Sequence, residues 1–267
     1  MKILALETGG TASPREAILA ALELSNTDAQ VSALVSIDEP RALGAQLIGA
    51  IDETLGEAGW KLDDLDGLAI GSGPGSWTSL RVGFATFKTL AQTRELPLAA
   101  VPSFDALASA IHRARPAQQS GKKSGKRRKK RQQESASQIV LALSPCRPGA
   151  LYGKLFAMTD DYLAPLQAEW IAPAQMHLDS AFCQALASEI DGPLLICGAA
   201  GMQAVELLET RGEGDLYEYI EAPAATVTIE IGIAGAYQIA DGEVTELSEL
   251  EPLYLAPSAA ERNLTVG

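Results

Sequence analysis

The stretch that decides the fold of this 267-residue chain reads Gly71-Ser72-Gly73-Pro74-Gly75-Ser76-Trp77-Thr78-Ser79-Leu80-Arg81-Val82-Gly83. An apolar strand is predicted before it, at 66–71, and an amphipathic helix after it, at 79–95. Glycines and a proline between a strand and a helix permit a tight backbone path. Ser76, Thr78 or Ser79 can cap the helix, and a helix N-terminus under such a loop can hold a phosphate. The spacing matches neither a Walker A motif nor a dinucleotide GxGxxG, so a simple turn explains these residues equally well.

Outward from this loop, the first half of the chain alternates between strands and helices. The segment 17–24 fits a helix or a strand, and we choose a strand on topology. A row of leucines and isoleucine four residues apart makes 40–57 an amphipathic helix, with Pro40 near its start and Gly59 just past its end. The predicted strands are 2–6, 16–24, 30–37, 66–71 and 97–101, and the predicted helices are 40–57, 79–95 and 103–114.

The second half repeats this order of strands followed by alternating helix and strand. The predicted strands are 138–143, 150–158 and 193–197, the predicted helices are 178–190, 201–211 and about 226–240, and 252–255 closes the fold. Two related α/β lobes are therefore expected, at 1–114 and 138–267. Residues 115–137 are low in complexity and are interpreted as a disordered basic loop inserted between them.

Charge is distributed unevenly along the chain. The net charge is −13, yet eight basic residues lie between Lys122 and Arg131, so the rest of the chain is still more acidic. An acidic body repels nucleic acid, and only the basic segment would attract it. Such a run is more often a solvated loop, and without aromatic residues it offers no base stacking.

Composition also indicates the cellular compartment in which the protein is expected. No apolar run reaches about 18 residues, so no transmembrane helix is expected. The apolar run at the N-terminus is too short for a signal peptide and suits a first strand. The three cysteines, Cys146, Cys183 and Cys197, share no CxxC spacing, which favours a reduced cytoplasmic protein.

The segment 73–83 resembles the Gly-Pro-Gly-Ser-Phe-Thr-Gly-Leu-Arg-Ile-Gly motif of the TsaB (YeaZ) family, and only Trp77 and Ser79 depart from it. The opening Ile3-Leu4-Ala5-Leu6-Glu7-Thr8 is similar to that family's Ile-Leu-Ala-Ile-Asp-Thr. The resemblance resumes weakly at 147–152, and the closing Pro252-Leu253-Tyr254-Leu255 is similar to the family's Pro-x-Tyr-Leu-Arg, with Ala at position 256. The motif residues that it carries over are Glu7, Thr8, Gly73, Pro74, Gly75, Ser76, Thr78, Arg81 and Gly83.

The resemblance implies a two-lobed actin-like ATPase (ASKHA) fold with ribonuclease H-like lobes. It also implies a non-catalytic subunit of the bacterial complex that makes threonylcarbamoyladenosine at position 37 of tRNA. In that family the subunit pairs with the catalytic subunit TsaD, and TsaE joins them. Two other classes stay open: a free-standing kinase, ATPase or peptidase of this fold, and an RNA-binding module that acts through Lys122–Arg131.

Catalytic groups are scarce in the sequence. A TsaD-like metal site needs two histidines at HxxxH spacing, whereas His112 and His177 are isolated. Glu7 stands where an actin-like ATPase has its first carboxylate, but Ser144-Pro145 supplies no acid in the second lobe. The turn Gly198-Ala199-Ala200-Gly201 is either a remnant of a nucleotide site or a strand-to-helix connection, and Cys146 has no nearby base. We therefore expect no catalytic residues, no metal and no cofactor.

The helix at 79–95 shows a second row of small or β-branched residues beside the row that covers the sheet, and the helix at 40–57 has alanines around its cylinder. Either both faces are buried within the monomer, or the additional small surface packs on another chain. Since TsaB is similar to proteins that dimerise through helices of the first lobe, the resemblance favours an interface with a TsaD-like subunit or a second copy. The candidate residues are Leu43, Ala45, Leu47, Ile51, Leu80, Phe84, Ala85 and Phe87.

Overall fold

The computed structural model describes residues 1–8, 10–11, 16–25, 28–39, 42–114, 138–147, 150–159, 163–166, 170–173, 194–210 and 217–255. Its first sheet contains β1 (Lys2–Glu7), β2 (Ala17–Leu24), β3 (Ala29–Ile37), β4 (Gly67–Gly71) and β5 (Leu98–Val101). The accompanying helices are α1 (Leu43–Ala58), α2 (Trp77–Arg94) and α3 (Ser103–Ala114).

The second sheet contains β6 (Gln138–Arg147), β7 (Ala150–Met158), β8 (Leu163–Pro165), β9 (Trp170–Pro173), β10 (Leu194–Cys197) and β11 (Tyr217–Ile220). Two helices follow the strands of this half, α4 (Gly201–Glu209) and α5 (Ala224–Asp241).

The two sheets share one topology. The first runs β3-β2-β1-β4-β5, and the second runs β8-β7-β6-β10-β11 with β9 also paired to β7. In each, the three strands at one end are antiparallel and the remaining pairs are parallel. This repeated topology confirms the expected two-lobed α/β fold.

The core lies in three layers around the sheets. α1 and α2 cover one face of the first sheet, and α4 covers the far face of the second. Between the sheets lie α3 and α5, which share one apolar cluster with both. α5 comes from the second half of the chain yet packs on the first sheet. A Cβ on Gly232 would lie 2.0 Å from Leu22 Cδ1, so a glycine is required for this close approach.

Most predicted boundaries agree with the structure to within a few residues. The segment 17–24 is a strand, as chosen on topology. Gly59 ends α1 with a φ of 71°, as a glycine C-cap does. α2 begins at Trp77 rather than 79 because the Ser76 hydroxyl accepts a hydrogen bond from Ser79 N at 3.4 Å, so Ser76 is the cap.

Three predictions fall where the structure is not described: the inserted loop 115–137, the helix 178–190 and the proximity of Pro40 to the start of α1. The lobe boundaries remain a prediction. In the described ranges, every helix is too short or too polar to cross a lipid bilayer.

Candidate functional site

Glu7, at the end of β1, has a carboxylate that is buried beneath the glycine loop, residues 71–79. The residue is 1% exposed. Ser103 Oγ donates a hydrogen bond to Glu7 Oε2 at 2.8 Å, and Gly10 N donates to Oε1 at 3.3 Å. A Cβ on Gly71 would lie 2.1 Å from Glu7 Oε2, so a glycine there leaves room for the carboxylate. Glu7 therefore joins the ends of β1, β4 and α3.

The glycine loop packs backbone to backbone on the turn after β1. A Cβ on Gly10 would lie 2.7 Å from both Gly75 Cα and Pro74 O. Gly73 has a φ of 104°, a conformation that favours glycine. Its N donates to Ser103 Oγ at 3.2 Å, and its O accepts from Ser103 N at 2.9 Å. The glycines thus let two loops meet where any side chain would separate them.

The other motif residues lie around this contact. A Cβ on Gly83 would lie 2.9 Å from Thr8 Cγ2, so this glycine lets α2 approach the end of β1. Pro74 and Thr8 are buried, whereas Thr78 and Arg81 are exposed on α2. The structure therefore packs most of the motif together at the end of β1, in what we call the site corner: Glu7, Thr8, Gly10, the glycine loop and Ser103. Two polar side chains of the motif, Thr78 and Arg81, lie at the surface.

The closing segment 252–255 returns to this corner and covers the start of α2. Leu253 N donates to Ser72 O at 2.8 Å. The rings of Tyr254 and Trp77 have centroids 3.8 Å apart. Arg81 Cζ lies 4.5 Å from the Trp77 centroid, and its Nε donates to the Tyr254 hydroxyl at 3.3 Å. The aromatic residue at 77 thus packs against the tyrosine of the closing motif.

The two lobes touch directly between the turn after β1 and the second sheet. Ala199 N donates to Thr11 O at 2.8 Å, and the Ser144 hydroxyl donates to Gly10 O. Gly198, with a φ of 95°, makes room for this approach, since its Cβ would lie 3.1 Å from Thr11 O. The turn at Gly198 connects β10 to α4.

The described residues of this contact direct backbone carbonyls at the second lobe. Anions bind to converging N–H groups, but the turn after β1 presents the carbonyls of Gly10 and Thr11 to the second lobe. The Thr8 and Thr11 hydroxyls are buried and have no hydrogen-bond partner among the described residues. The described residues of the corner thus form a direct contact between the two lobes of the chain.

A second interlobe contact is ionic. Lys154 on β7, 5% exposed, places its Nζ 2.5 Å from Asp105 Oδ1 on α3. Nearby, the Arg113 guanidinium on α3 is paired with the buried carboxylate of Glu230 on α5, and this hydrogen-bonded pair raises the pKa of Arg113. Both pairs fix α3 in place beside the site corner.

Among the described residues, no group of three His, Cys, Asp or Glu side chains could hold a metal ion. The His112 ring donates a hydrogen bond from Nε2 to Thr159 O at 2.9 Å. Burial raises the pKa of the Cys197 thiol to about 12, which keeps it protonated at neutral pH. His177 and Cys183 lie outside the described ranges, and Cys146 is partly buried.

The eight interface candidates divide into two groups. Six are at most 4% exposed: Leu43, Leu47, Ile51, Leu80, Phe84 and Phe87. All but Leu80 belong to the apolar cluster between the first sheet and α1 and α2, and Leu80 lies beside Gly73 and Gly75 of the glycine loop. Ala45 and Ala85 are exposed on the outer face of the helix pair. Ile48 is 63% exposed on the same side of the lobe. Ala45, Ile48 and Ala85 are thus open to solvent, whereas Ala50 is 6% exposed and Val82 packs against the core of the first lobe. The six buried candidates lie within the monomer.

Sequence reasoning missed Ser103, which hydrogen-bonds Glu7 and Gly73 together. Its position as the first residue of α3, directly after β5, was the available signal. It also missed the contact of Tyr254 with Trp77, since no pattern in the sequence relates two segments so far apart.

Two comparisons with known sequences match parts of the chain. A protein-family model described as "TsaD: tRNA N6-adenosine threonylcarbamoyltransferase" matches residues 40–120. The tRNA threonylcarbamoyladenosine biosynthesis protein TsaB of Haemophilus influenzae is 38% identical over 72 residues. That match spans 26% of this chain and 30% of the Haemophilus protein, so it covers under a third of the relative's length.

Solved structures match over nearly the whole chain. YeaZ from Pseudomonas aeruginosa superposes with a TM-score of 0.64 at 19% identity, over 95% of this chain and 99% of that one. A second structure from that organism, of an uncharacterized protein with similarity to peptidase YeaZ, gives 0.63 at 18% identity, over 96% and 99%. Similarity at this level of identity shows the fold.

Proposed function

We propose that the chain is a member of the TsaB (YeaZ) family and a non-catalytic subunit of the bacterial complex that forms threonylcarbamoyladenosine at position 37 of tRNA. Its partner is a TsaD-like catalytic subunit, with a TsaE-like ATPase in the same complex, and its compartment is the cytoplasm. The exposed outer row of α1 and α2 carries the proposal. Both helices lie within the 40–120 segment that matches the TsaD family model.

The chemistry of that row suits another pair of helices. Ala45 and Ala85 are small, and a Cβ on Gly49 would meet no atom within 4 Å. Small residues let helix axes approach closely, and Ile48 adds an exposed apolar side chain. Helices satisfy their own backbone hydrogen bonds, so the contact buries apolar area without unpaired backbone groups. With no partner present, a second copy of this chain is expected to occupy the same row.

The site corner supports an accessory role. Glu7 is hydrogen-bonded by Ser103 and Gly10, and the turn beside it directs carbonyls at the second lobe. Neither arrangement leaves a carboxylate free to organise Mg²⁺ and water for phosphoryl transfer. We therefore expect no appreciable ATP hydrolysis by the pure chain, and we do not favour the kinase or peptidase alternative.

Contact with tRNA is proposed for the basic segment Lys122–Arg131, which lies outside the described residues. Its eight basic side chains contrast with the acidic remainder of the chain. Phosphate contacts of this kind give affinity that falls as salt rises.

Reconstitution tests the proposal. We expect threonylcarbamoyl transfer to tRNA only when the purified chain is combined with its TsaD-like and TsaE-like partners. The chain alone should show neither transfer nor ATP turnover above a no-protein control. Robust transfer by the chain alone, or full activity of the partners without it, would show that it is not the accessory subunit.

A further inference from the structure

The outer row of α2 continues past Ala85 to the aromatic stack at the start of the helix. Trp77, Arg81, Ala85 and Thr89 follow one another four residues apart, so their side chains share one side of α2. Trp77 is half-buried and the other three are exposed. The stack of Trp77 and Arg81 therefore lies at one end of the face to which Ala85 belongs.

The first turn of α1 lies beside this end of α2. A Cβ on Gly44 would lie 4.0 Å from Val82 Cγ2, the residue that follows Arg81. Ala45 comes directly after Gly44 and is exposed, as Ala85 is. The interface proposed on α1 and α2 is thus continuous with the turn of α2 that carries Arg81.

The guanidinium of Arg81 has no acidic partner in the part of the chain that the structure describes. The other two arginines of α2 and α3, Arg94 and Arg113, each form an ion pair with an acid. The Nε of Arg81 donates to the Tyr254 hydroxyl at 3.3 Å, and its two terminal nitrogens form no hydrogen bond with a described residue. An exposed cation with one edge unused is left at the end of the helix face.

Two aromatic rings order this guanidinium before any partner binds. Arg81 Cζ lies 4.5 Å from the Trp77 ring centroid and 5.8 Å from that of Tyr254, and a cation is attracted to a ring at such distances. A side chain that is already ordered loses less conformational entropy on binding. Trp, Tyr and Arg are also the residue types that most often dominate the energy of an interface.

We propose, on the basis of the proposed function, that Arg81 is the polar anchor of the α1–α2 interface and binds an Asp or Glu carboxylate of the TsaD-like subunit. The planar fork of N–H groups on a guanidinium matches the two oxygens of a carboxylate. Helices docked on Ala45 and Ala85 exclude water from the pair, which strengthens it. A tRNA phosphate fits less well, because Arg81 is a single cation on a chain of net charge −13, and the segment before Tyr254 exposes acids.

Calorimetry of the full chain with the purified TsaD-like subunit tests the anchor. Arg81→Gln should weaken binding at least about tenfold, because the partner's carboxylate would be covered without a cation. Arg81→Lys keeps the charge but lacks the fork, so it should recover only part of the affinity. Arg94→Gln is the matched control, since Arg94 lies about 20 Å further along α2 and pairs with Asp63. It should change the affinity by less than about twofold.

Salt dependence distinguishes an ion pair from a merely structural role of Arg81. Between about 50 mM and about 500 mM NaCl, the affinity of the parent chain should fall more steeply than that of Arg81→Gln. Thermal unfolding checks that each variant is folded. If Arg81→Gln melts early, Tyr254→Phe provides a second variant, since it removes the hydroxyl that Nε contacts and keeps the ring and the charge. It should weaken binding about two- to fivefold.

A folded Arg81→Gln chain that binds as tightly as the parent, or more weakly with the same salt dependence, would overturn the proposal. If Ala45→Glu and Ala85→Arg weaken binding in the same assay, the interface stands and only the anchor is wrong. If those two variants also bind normally, the proposed interface is wrong as well. An Arg81→Gln chain that loses affinity for tRNA but not for the subunit would assign the guanidinium to a phosphate, against the proposal.

Discussion

A buried carboxylate organises the site corner at the scale of single residues. Glu7 is 1% exposed, and Ser103 ties it to the backbone of Gly73. The sequence indicated an acid at the end of β1, where an ATPase would use it, and the structure shows this acid buried and hydrogen-bonded. Its hydrogen-bond partner Ser103 is 96 positions away, so no local pattern could reveal it.

Ser103→Ala should lower the free energy of unfolding by about 1–3 kcal/mol, because a buried carboxylate and a backbone N–H each lose a partner. Urea denaturation of the full chain measures the change. Ser36→Ala is the matched control, since its hydroxyl is exposed, and its change should stay within about 0.5 kcal/mol. Equal effects of the two substitutions would mean that the Glu7 contact adds nothing to stability.

At the scale of elements, periodicity predicted α1 and β3 because each has one buried face. The strands β1, β4 and β10 are buried on both faces and were predicted as short apolar runs. Leu43, Leu47 and Ile51 repeat at helical spacing, and all three are buried on the first sheet. Alternation could not show which helix face stays open, since Ala45 and Ala85 fit either a core or a surface. Loop contacts escaped prediction for another reason: they depend on glycines that meet across the fold, such as Gly10 with Gly75.

Gly10→Ala should destabilise the chain by about 1–3 kcal/mol, because the added methyl meets backbone atoms that cannot move aside. Gly49→Ala, in the middle of α1 with open space around it, should instead stabilise it by about 0.5–1 kcal/mol. Thermal unfolding of both variants checks the opposite signs. A stabilising Gly10→Ala would show that the two loops are not in close contact.

At the scale of the molecule, two lobes of one topology are held together by α3 and α5 and by the corner contacts. The repetition of strands and helices in each half of the sequence predicted the lobes. The packing of α5 on the first sheet could not be predicted from chain order. Small residues such as Gly232 indicate that another element approaches α5 closely, but not which strand it is.

Deletion of 118–133 should leave thermal stability nearly unchanged, since a hydrophilic segment buries little apolar area. It should also weaken association with tRNA and reduce the dependence of that association on salt. Differential scanning calorimetry and a salt titration of tRNA binding measure the two effects. A melting temperature lower by many degrees would show instead that the segment is packed against the body.

The most direct test of the account measures, by calorimetry, the affinity of this chain for a TsaD-like subunit, the proposed partner. Ala45→Glu and Ala85→Arg, made separately, should each weaken binding at least about tenfold, because a charge would be buried without a partner. Gln46→Glu, exposed about 100° further around α1, should change the affinity by less than about twofold. Correctly folded Ala45→Glu and Ala85→Arg proteins that bind the partner as tightly as the parent chain would contradict the proposed interface.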